Sequence, residues 1–245
     1  MFEQKRPRLS IVIPVYNEEG ILHAAVVDLR ERLAPFGWQY EILLAENGSR
    51  DATIAVAEQL GEKYPEVRRI SVPTPNYGRA LRAGILAARG KLVVCDEIDL
   101  CDVDFHRRAV ALLEQGSAKM VIGSKLITGA SDERPLFRHV ASMVYTTLLR
   151  GLLGFRGSDT HGLKAFVREV GAPLAERCLT DKDVFASEFV IRAYRAGVPI
   201  VEIPIRVKEK RPPSINLLKR VPNVLGNLGK LTWAIRAGED PPSRP

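Results

Sequence analysis

Three cysteines in 245 residues are too few for the disulfide framework of a small secreted domain. Cys95, Cys101 and Cys178 also lack the paired spacing of a zinc site, so all three are expected to be reduced thiols. Long apolar runs are missing as well. No uncharged stretch reaches the roughly 18–20 residues that cross a bilayer; the best, His139 to Leu149, is bounded by Arg138 and Arg150. A transmembrane span is not expected. The first eight residues are polar and basic and run into an alternating apolar segment containing Pro14, without the small-residue cleavage site of a signal peptide. A cytoplasmic location is the expectation. There is no internal repeat, no low-complexity tract and no evident catalytic His–Asp dyad. The chain also lacks the aromatic stacking platform and base-reading motif of a nucleic-acid binder, so no nucleic-acid partner is expected.

What is present is an ordinary globular composition, 46% hydrophobic and 27% charged, at a length that one main core can fill. The formal charge is +7, and its placement matters more than its size. Residues Arg206 to Arg236 hold eight basic side chains against one acidic, and the remainder of the chain balances. A localised basic segment suits an anionic partner such as a phospholipid surface, although a solvated surface helix has the same composition.

Short apolar runs alternate with amphipathic ones. Leu9 to Val15, Tyr40 to Ala45, Val67 to Val72, Leu92 to Cys95 and Met120 to Ile122 read as strands, and Val198 to Ile205 as a late one. Helical spacing predicts helices over Glu19 to Leu33, Asp51 to Tyr64, Gly78 to Ala88 and Asp104 to Gln115. Strand–helix repeats with continuously apolar strands predict an α/β fold: a mainly parallel, Rossmann-like sheet with helices on both faces. In such sheets ligands bind beyond the carboxyl ends of the strands. Four polar clusters fall there: Pro14-Val15-Tyr16-Asn17-Glu18, Glu46-Asn47-Gly48-Ser49-Arg50-Asp51, Asp96-Glu97-Ile98-Asp99 and Gly123-Ser124-Lys125.

Carboxylates crowded after a buried strand must offset desolvation and mutual repulsion, and a divalent cation does this through oxygen ligands. Glu97 and Asp99, two apart, can share such a site if the backbone turns between them. The bland alternative is that the acidic run caps the following helix, a duty Asp102 or Asp104 can perform without Asp99. Tyr16, Asn17 and Glu18 can likewise be a simple turn, and Gly48-Ser49 is as good a turn as a donor site.

At these residues the sequence resembles the family 2 glycosyltransferases of the GT-A fold, over nearly the whole chain. Its pattern is most similar to the branch that makes polyprenyl-phosphate sugars, including dolichyl-phosphate mannose synthase and bacterial relatives. Ile11 to Glu19 resembles that family's nucleotide-binding first loop. Gly90 to Leu100 resembles its strand ending in Asp-x-Asp-Leu, with Glu97 and Asp99 at the two acidic positions. Gly123-Ser124-Lys125 resembles Gly-Ser-Arg, Arg138 with Ser142 an acceptor-phosphate pair, and Thr160-His161-Gly162-Leu163-Lys164 the motif Thr-Ser-Gly-Phe-Arg. Glu188, the Glu202-Ile203-Pro204-Ile205 strand and Arg211, near a later phosphate-binding Arg, fit too. There are departures. Glu46-Asn47 replaces Asp-Asp, Glu97 replaces Asp, and Cys101 stands where a Gln often assists the metal, offering a soft thiol to a hard cation.

The resemblance implies inverting transfer of a hexose, mannose or glucose, from a GDP- or UDP-sugar to a polyprenyl phosphate at the cytoplasmic membrane face. It implies Mg²⁺ or Mn²⁺ on Asp99 and Glu97, with Cys101 as a third position. Pro14, Tyr16, Asn17, Glu18, Glu46, Asn47 and Ser49 would bind the nucleotide sugar. Lys125, Arg138, Ser142, Lys164 and Arg211 would hold the acceptor phosphate, which is already ionised and needs no general base. Rival readings are transfer to a soluble hydroxyl acceptor, with Asp102 or His161 as base, and a non-catalytic nucleotide-sugar or lipid-binding protein.

Two helices bear on the acceptor. In Leu136 to Leu153, Val140, Met143, Val144 and Thr147 share one face, expected to dock on the body, while Arg138 and Ser142 share another. Ile215 to Arg236 places Leu218, Val221, Leu225, Leu228 and Ile235 in one sector, with Trp233 at its boundary. Residues 1–213 are therefore expected to form the catalytic domain. Residues 214–245 are expected to form a basic amphipathic segment lying on an anionic membrane, or else a helix capping the core. Without lipid affinity of its own, the chain would need a membrane-embedded partner protein to bring the acceptor.

Overall fold

The computed structural model describes residues 6–133, 136–182, 184–207 and 217–236, without the side chains of 132, 136–138, 141, 217–225 and 234. Seven strands form one sheet. They are β1 (Leu9–Val15), β2 (Tyr40–Glu46), β3 (Val67–Ser71), β4 (Leu92–Cys95), β5 (Met120–Ser124), β7 (Lys164–Val167) and β8 (Ile200–Pro204), in the order β3-β2-β1-β4-β7-β5-β8. β7 runs antiparallel to both its neighbours, and every other pairing is parallel. The short strands β6 (Ser131–Asp132) and β9 (Arg206–Val207) pair separately.

Alternation along the strands builds two apolar layers. Leu9, Ile11, Ile13 and Val15 point to one face with Ile42, Leu44, Leu92 and Val94. That face is covered by α1 (Leu22–Leu33), α2 (Thr53–Lys63) and α4 (Val103–Glu114). Val12, Leu43, Val93 and Cys95 point to the other, toward α3 (Tyr77–Ala87), α6 (Arg168–Glu176) and α7 (Phe185–Arg195). Both faces of the sheet are thus buried, which is why its strands read as unbroken apolar runs rather than as polar–apolar alternation. Cys95, Cys101 and Cys178 are all buried, and none is in a disulfide.

The chain leaves β1 for β2 and β3 on one side and returns to the other side as β4. In sheets of this kind the ligand crevice lies at such a switch point, here the carboxyl ends of β1 and β4. The ladder between β1 and β4 stops at Val12–Cys95, so Pro14 lies where β1 is paired on one side alone.

Of the two amphipathic helices, α5 (Leu136–Leu153) departs from expectation, and α8 (Leu217–Arg236) takes the core-capping one of its two expected roles. In α5, Val140, Met143 and Val144 are 50–55% exposed, and Leu148 and Leu152 39%. The body is met instead by Thr146, Leu149 and Leu153. The row expected to dock faces solvent, because Leu149 and Leu153 join Phe155 in the second core layer. In α8, Leu228, Leu231 and Ile235 are buried in that same layer against α5, and Trp233 is 64% exposed. The sector expected to meet a membrane or to cap the core thus faces the core at Leu228 and Ile235. Among the described residues, no helix is long and apolar enough to cross a membrane.

Candidate active site

The first wall of the crevice is made by the loops after β1 and β2, which are laced together. The Asn17 amide donates to Ser49 Oγ at 3.1 Å and Arg50 N–H donates back to Asn17 Oδ1 at 2.9 Å. Glu18 N–H donates to Thr53 Oγ1 at 2.7 Å, and Glu19 Oε2 accepts from Ala52 N–H at 2.7 Å. These contacts keep Glu19 out of α1, which starts at Leu22 rather than at the predicted Glu19. Asn17 is left-handed, φ 52°, which Asn tolerates better than most residues. Beneath, Glu46 is 1% exposed; its Oε1 accepts from the Ser49 amide at 2.5 Å and its Oε2 from Ser71 Oγ at 2.8 Å. Asn47 Oδ1 accepts from Asn76 N–H at 2.5 Å. Glu46 and Asn47 therefore shape the loop from below, while Tyr16 is exposed at its rim. Gly48 supplies the positive φ of the turn, +70°, with Pro73 and Pro75 too near for a side chain.

The acidic loop after β4 closes tightly. Leu100 and Cys101 both donate their amides to the Glu97 carbonyl at 3.0 Å. Asp102 Oδ1 accepts from Phe105 N–H at 2.9 Å and is the N-cap of α4, so neither Glu97 nor Asp99 serves as that cap. Burial, then the charge of Asp99, pushes the Glu97 acid up to about 7; Lys164 and Lys125 pull it the other way. Cys101 is 4% exposed within the first core layer, and its thiol donates to the Ile98 carbonyl at 3.5 Å.

Opposite stands a basic edge. Lys125, just beyond β5, pairs with Asp159 at 2.8 Å, both side chains buried. Burial alone would raise Asp159, but the Lys125 ammonium and its hydrogen bond hold the acid below its ordinary value. Lys164 lies across the ladder from Cys95, donates to the Gly162 carbonyl at 2.7 Å, and is pushed down by burial against the pull of nearby Asp159 and Glu97. The two segments meet so closely that a Cβ on Gly162 would lie 1.6 Å from the Gly123 carbonyl oxygen. The fold thus faces a pair of carboxylates with two buried ammonium groups at the crevice mouth.

With that geometry in place, the family model described as "Glycosyl transferase family 2" matches residues 10–170. The chain belongs to glycosyl transferase family 2. It is 27% identical over 232 residues to glycosyltransferase AglD of Haloferax volcanii, spanning 93% of this chain but only 37% of that protein. It is 26% identical over 229 residues to a dolichyl-phosphate beta-glucosyltransferase of Dictyostelium discoideum, 85% of this chain and 70% of that one. Among solved structures, the glucosyl-3-phosphoglycerate synthase of Mycobacterium tuberculosis in complex with UDP superposes with TM-score 0.67 at 23% identity, covering 92% and 80% of the two chains. Mannosyltransferase PcManGT of Pyrobaculum calidifontis, in complex with GDP-Man and Mn²⁺, gives 0.63 at 21%, covering 98% and 67%. The GT-A fold expected from the motifs is the fold these neighbours share.

Most residues singled out for the family resemblance converge on this crevice: Pro14, Tyr16, Asn17, Glu18 and Ser49 on one wall, Glu97 and Asp99 in the middle, Lys125 and Lys164 on the other. Ser142 is half-buried on α5, one turn beyond Arg138, whose side chain lies outside the described residues, as does Arg211 altogether. Glu188 is a structural anchor, accepting from the Leu179 and Thr180 amides, the Thr180 hydroxyl and Arg192. Glu202 accepts from Ser158 and Tyr194. Sequence reasoning missed Tyr77, whose phenol interacts with Glu97. It also missed Asn76, which caps α3, donates to Asp181 Oδ2 at 2.8 Å and accepts from Lys182 N–H at 2.8 Å. An Asn directly before an apolar helical run was the available signal for the cap; nothing local announced the contact with Asp181.

Proposed function

We propose that this chain transfers a hexose, glucose or mannose, from a nucleotide-diphosphate sugar to a polyprenyl phosphate, with inversion at the anomeric carbon. The observation that carries the chemistry is the juxtaposition at the switch point of Glu97 and Asp99 with the buried Lys125–Asp159 pair and Lys164. Relatives named as dolichyl-phosphate glucosyltransferases support the lipid acceptor.

The residues present fit a hard divalent cation. Glu97 is an acid whose ionisation is opposed by burial and by Asp99, and both donors are oxygen. Among the described residues, no three His, Cys, Asp or Glu side chains gather around one point. Two carboxylates with diphosphate oxygens and water completing the shell is the arrangement Mg²⁺ favours, and Mn²⁺ takes similar ligands. Asp99 and Glu97 form the proposed set. Cys101 is withdrawn from it, because its thiol is spent on the Ile98 carbonyl within the core. When bound, the cation would supply positive charge against the diphosphate leaving group.

The loops after β1 and β2 hold the nucleotide, Glu46 and Asn47 acting through loop shape and Tyr16, Asn17, Glu18 and Ser49 at the surface. Lys125, oriented by Asp159, and Lys164 attract the acceptor phosphate, with Arg138, Ser142 and Arg211 as its further partners. An ionised phosphate oxygen attacks the anomeric carbon as the bond from that carbon to the diphosphate breaks, so no base is required; positioning and electrostatics lower the barrier. Asp102, already a helix cap, is then not needed as a base.

The exposed row Val140, Met143, Val144, Leu148 and Leu152, with Trp233, supports contact with the acyl region of a membrane from its cytoplasmic face, the basic stretch 206–236 meeting anionic headgroups. A membrane-embedded partner protein remains the alternative route for the acceptor. The test is transfer of labelled hexose from UDP-glucose and GDP-mannose to a polyprenyl phosphate in detergent with Mn²⁺. Label in the lipid fraction is expected, and Arg138→Ala should raise the KM for lipid while sparing donor binding. A protein that binds either donor but labels no prenyl phosphate would overturn the assignment.

A further inference from the structure

α4 turns an apolar face to the sheet, built from Val103, Phe105, Ala109, Val110 and Leu113. One residue breaks that pattern. His106 has no exposed surface, and its Nε2 lies 2.5 Å from Oδ2 of Asp96, itself 2% exposed. The other ring nitrogen, Nδ1, is buried without a hydrogen-bond partner among the described residues. Phe105 meets the ring edge-on with centroids 6.5 Å apart, and the ring's hydrogen-bond contact is with Asp96. A buried carboxylate–imidazole pair is costly beside an apolar pair of similar volume, unless each oxygen is fully used.

Asp96 is fully used. Its Oδ1 accepts from Glu97 N–H at 2.7 Å, and its Oδ2 accepts from Asp102 N–H at 3.1 Å as well as meeting His106. Those two amides are the first and last of the acidic loop, so a single carboxylate staples both its ends. Between them Cys101 holds a left-handed φ of 43°, a conformation a non-glycine residue keeps only when its surroundings impose it. The start of α4 is fixed separately by the Asp102 cap, so the imidazole is not what begins the helix.

We infer that His106 is a positioning residue: through Asp96 it holds the loop 97–102 in the closed shape that presents Glu97 and Asp99, and it thereby sets divalent-cation affinity without contacting cation or substrate. This rests on reading Glu97 and Asp99 as the cation site. Removing the imidazole leaves Asp96 buried with one donor fewer, and the carboxylate can then turn away from one of the two amides.

Two variants of the full chain test it, His106→Leu, which removes the donor, and His106→Gln, whose side-chain amide nitrogen reaches about as far as Nε2. Hydrogen exchange at the Glu97 and Asp102 amides reads the loop with no metal present, and Mn²⁺ binding in the presence of UDP or GDP, followed by electron paramagnetic resonance, reads the site. In His106→Leu both amides should exchange at least tenfold faster and Mn²⁺ should bind at least tenfold more weakly; His106→Gln should recover most of both. Wild-type exchange or wild-type Mn²⁺ affinity in a folded His106→Leu protein overturns the proposal, as does a His106→Gln protein that recovers stability but neither readout. Should His106→Leu not fold, the double variant Asp96→Met/His106→Leu replaces the pair by apolar side chains; weakened Mn²⁺ binding there supports the inference and native affinity overturns it. If the wild type itself bound no Mn²⁺ with either nucleotide, the cation site would be refuted, while the exchange measurement would still decide whether His106 clamps the loop.

Discussion

The two sides of the crevice solve the same problem, burying charge at a strand end, in opposite ways. At β5 and β7 the charges are matched: Lys125 meets Asp159 at 2.8 Å, and the acid is held below its ordinary value. At β4 they are mismatched: Glu97 has Asp99 beside it, and its acid is pushed up to about 7. A matched pair is complete within the protein and can orient a partner. A mismatched pair is incomplete and asks for an added cation. On the proposed function, the difference separates a side that positions a ligand from a side that recruits charge, and it can be broken from either side.

The largest effect is expected from Asp99→Asn, which keeps volume and removes a charged hard ligand. Transfer should fall by at least about 10²–10³-fold with loss of metal-dependent nucleotide binding, while circular dichroism stays native. Retained turnover would remove Asp99 from the site. On the matched side, Lys125→Met strands the Asp159 carboxylate and should cost about 3–5 kcal/mol of stability in denaturant unfolding. Adding Asp159→Asn should return much of that stability without returning acceptor use. Recovery of activity in the double variant would show that Lys125 has no role beyond balancing Asp159.

A smaller effect distinguishes the mismatched side by pH. Cation binding needs ionised Glu97, so Mn²⁺ affinity should rise by about tenfold per pH unit up to about 7 and level off above it. The linked stability has the opposite sign. Because folding raises this acid above its ordinary 4.5, the metal-free protein loses stability as pH climbs from 4.5 through 7, and Mn²⁺ should offset that loss. Glu97→Gln should flatten both profiles; an unchanged Mn²⁺ profile in that variant would assign the titration elsewhere. The smallest effect is expected on α5, where Met143→Ser should alter stability by no more than about 0.5 kcal/mol and reduce sedimentation with anionic vesicles a few-fold. Unchanged sedimentation would detach this helix from the membrane.

Where sequence reasoning succeeded, the signal was local. β1 and β4 coincide with their predicted spans, because an apolar run buried on both faces leaves little choice of register. The polar clusters lie at the carboxyl ends of β1, β2, β4 and β5, where the strand–helix alternation put them. β7 was not visible as a strand: it has four residues, and its antiparallel place between β4 and β5 is decided by tertiary pairing. The face that α5 turns to the core was equally invisible, and for α8 the sequence left membrane and core both open. Each helix has a workable apolar stripe, and which one meets the core depends on where Leu149, Leu153 and Phe155 already sit. Asp96 was read with the acidic cluster, yet its burial with His106 required knowing that residues ten apart face each other across a loop.

The position of β7 has a consequence for how the molecule is made. β5 pairs with β7 and β8 alone, and it is joined to β4 only through β7, which lies between them. During synthesis the chain can assemble β1 to β4, with the acidic loop, while β5 waits with both edges open until residues 164–167 have emerged. Such late, non-local insertion of a central strand is slow and leaves transient edges exposed. Nascent chains stopped before residue 164 should therefore bind chaperones through Met120–Ser124, and release from the chaperone should coincide with arrival of the segment that also carries Lys164.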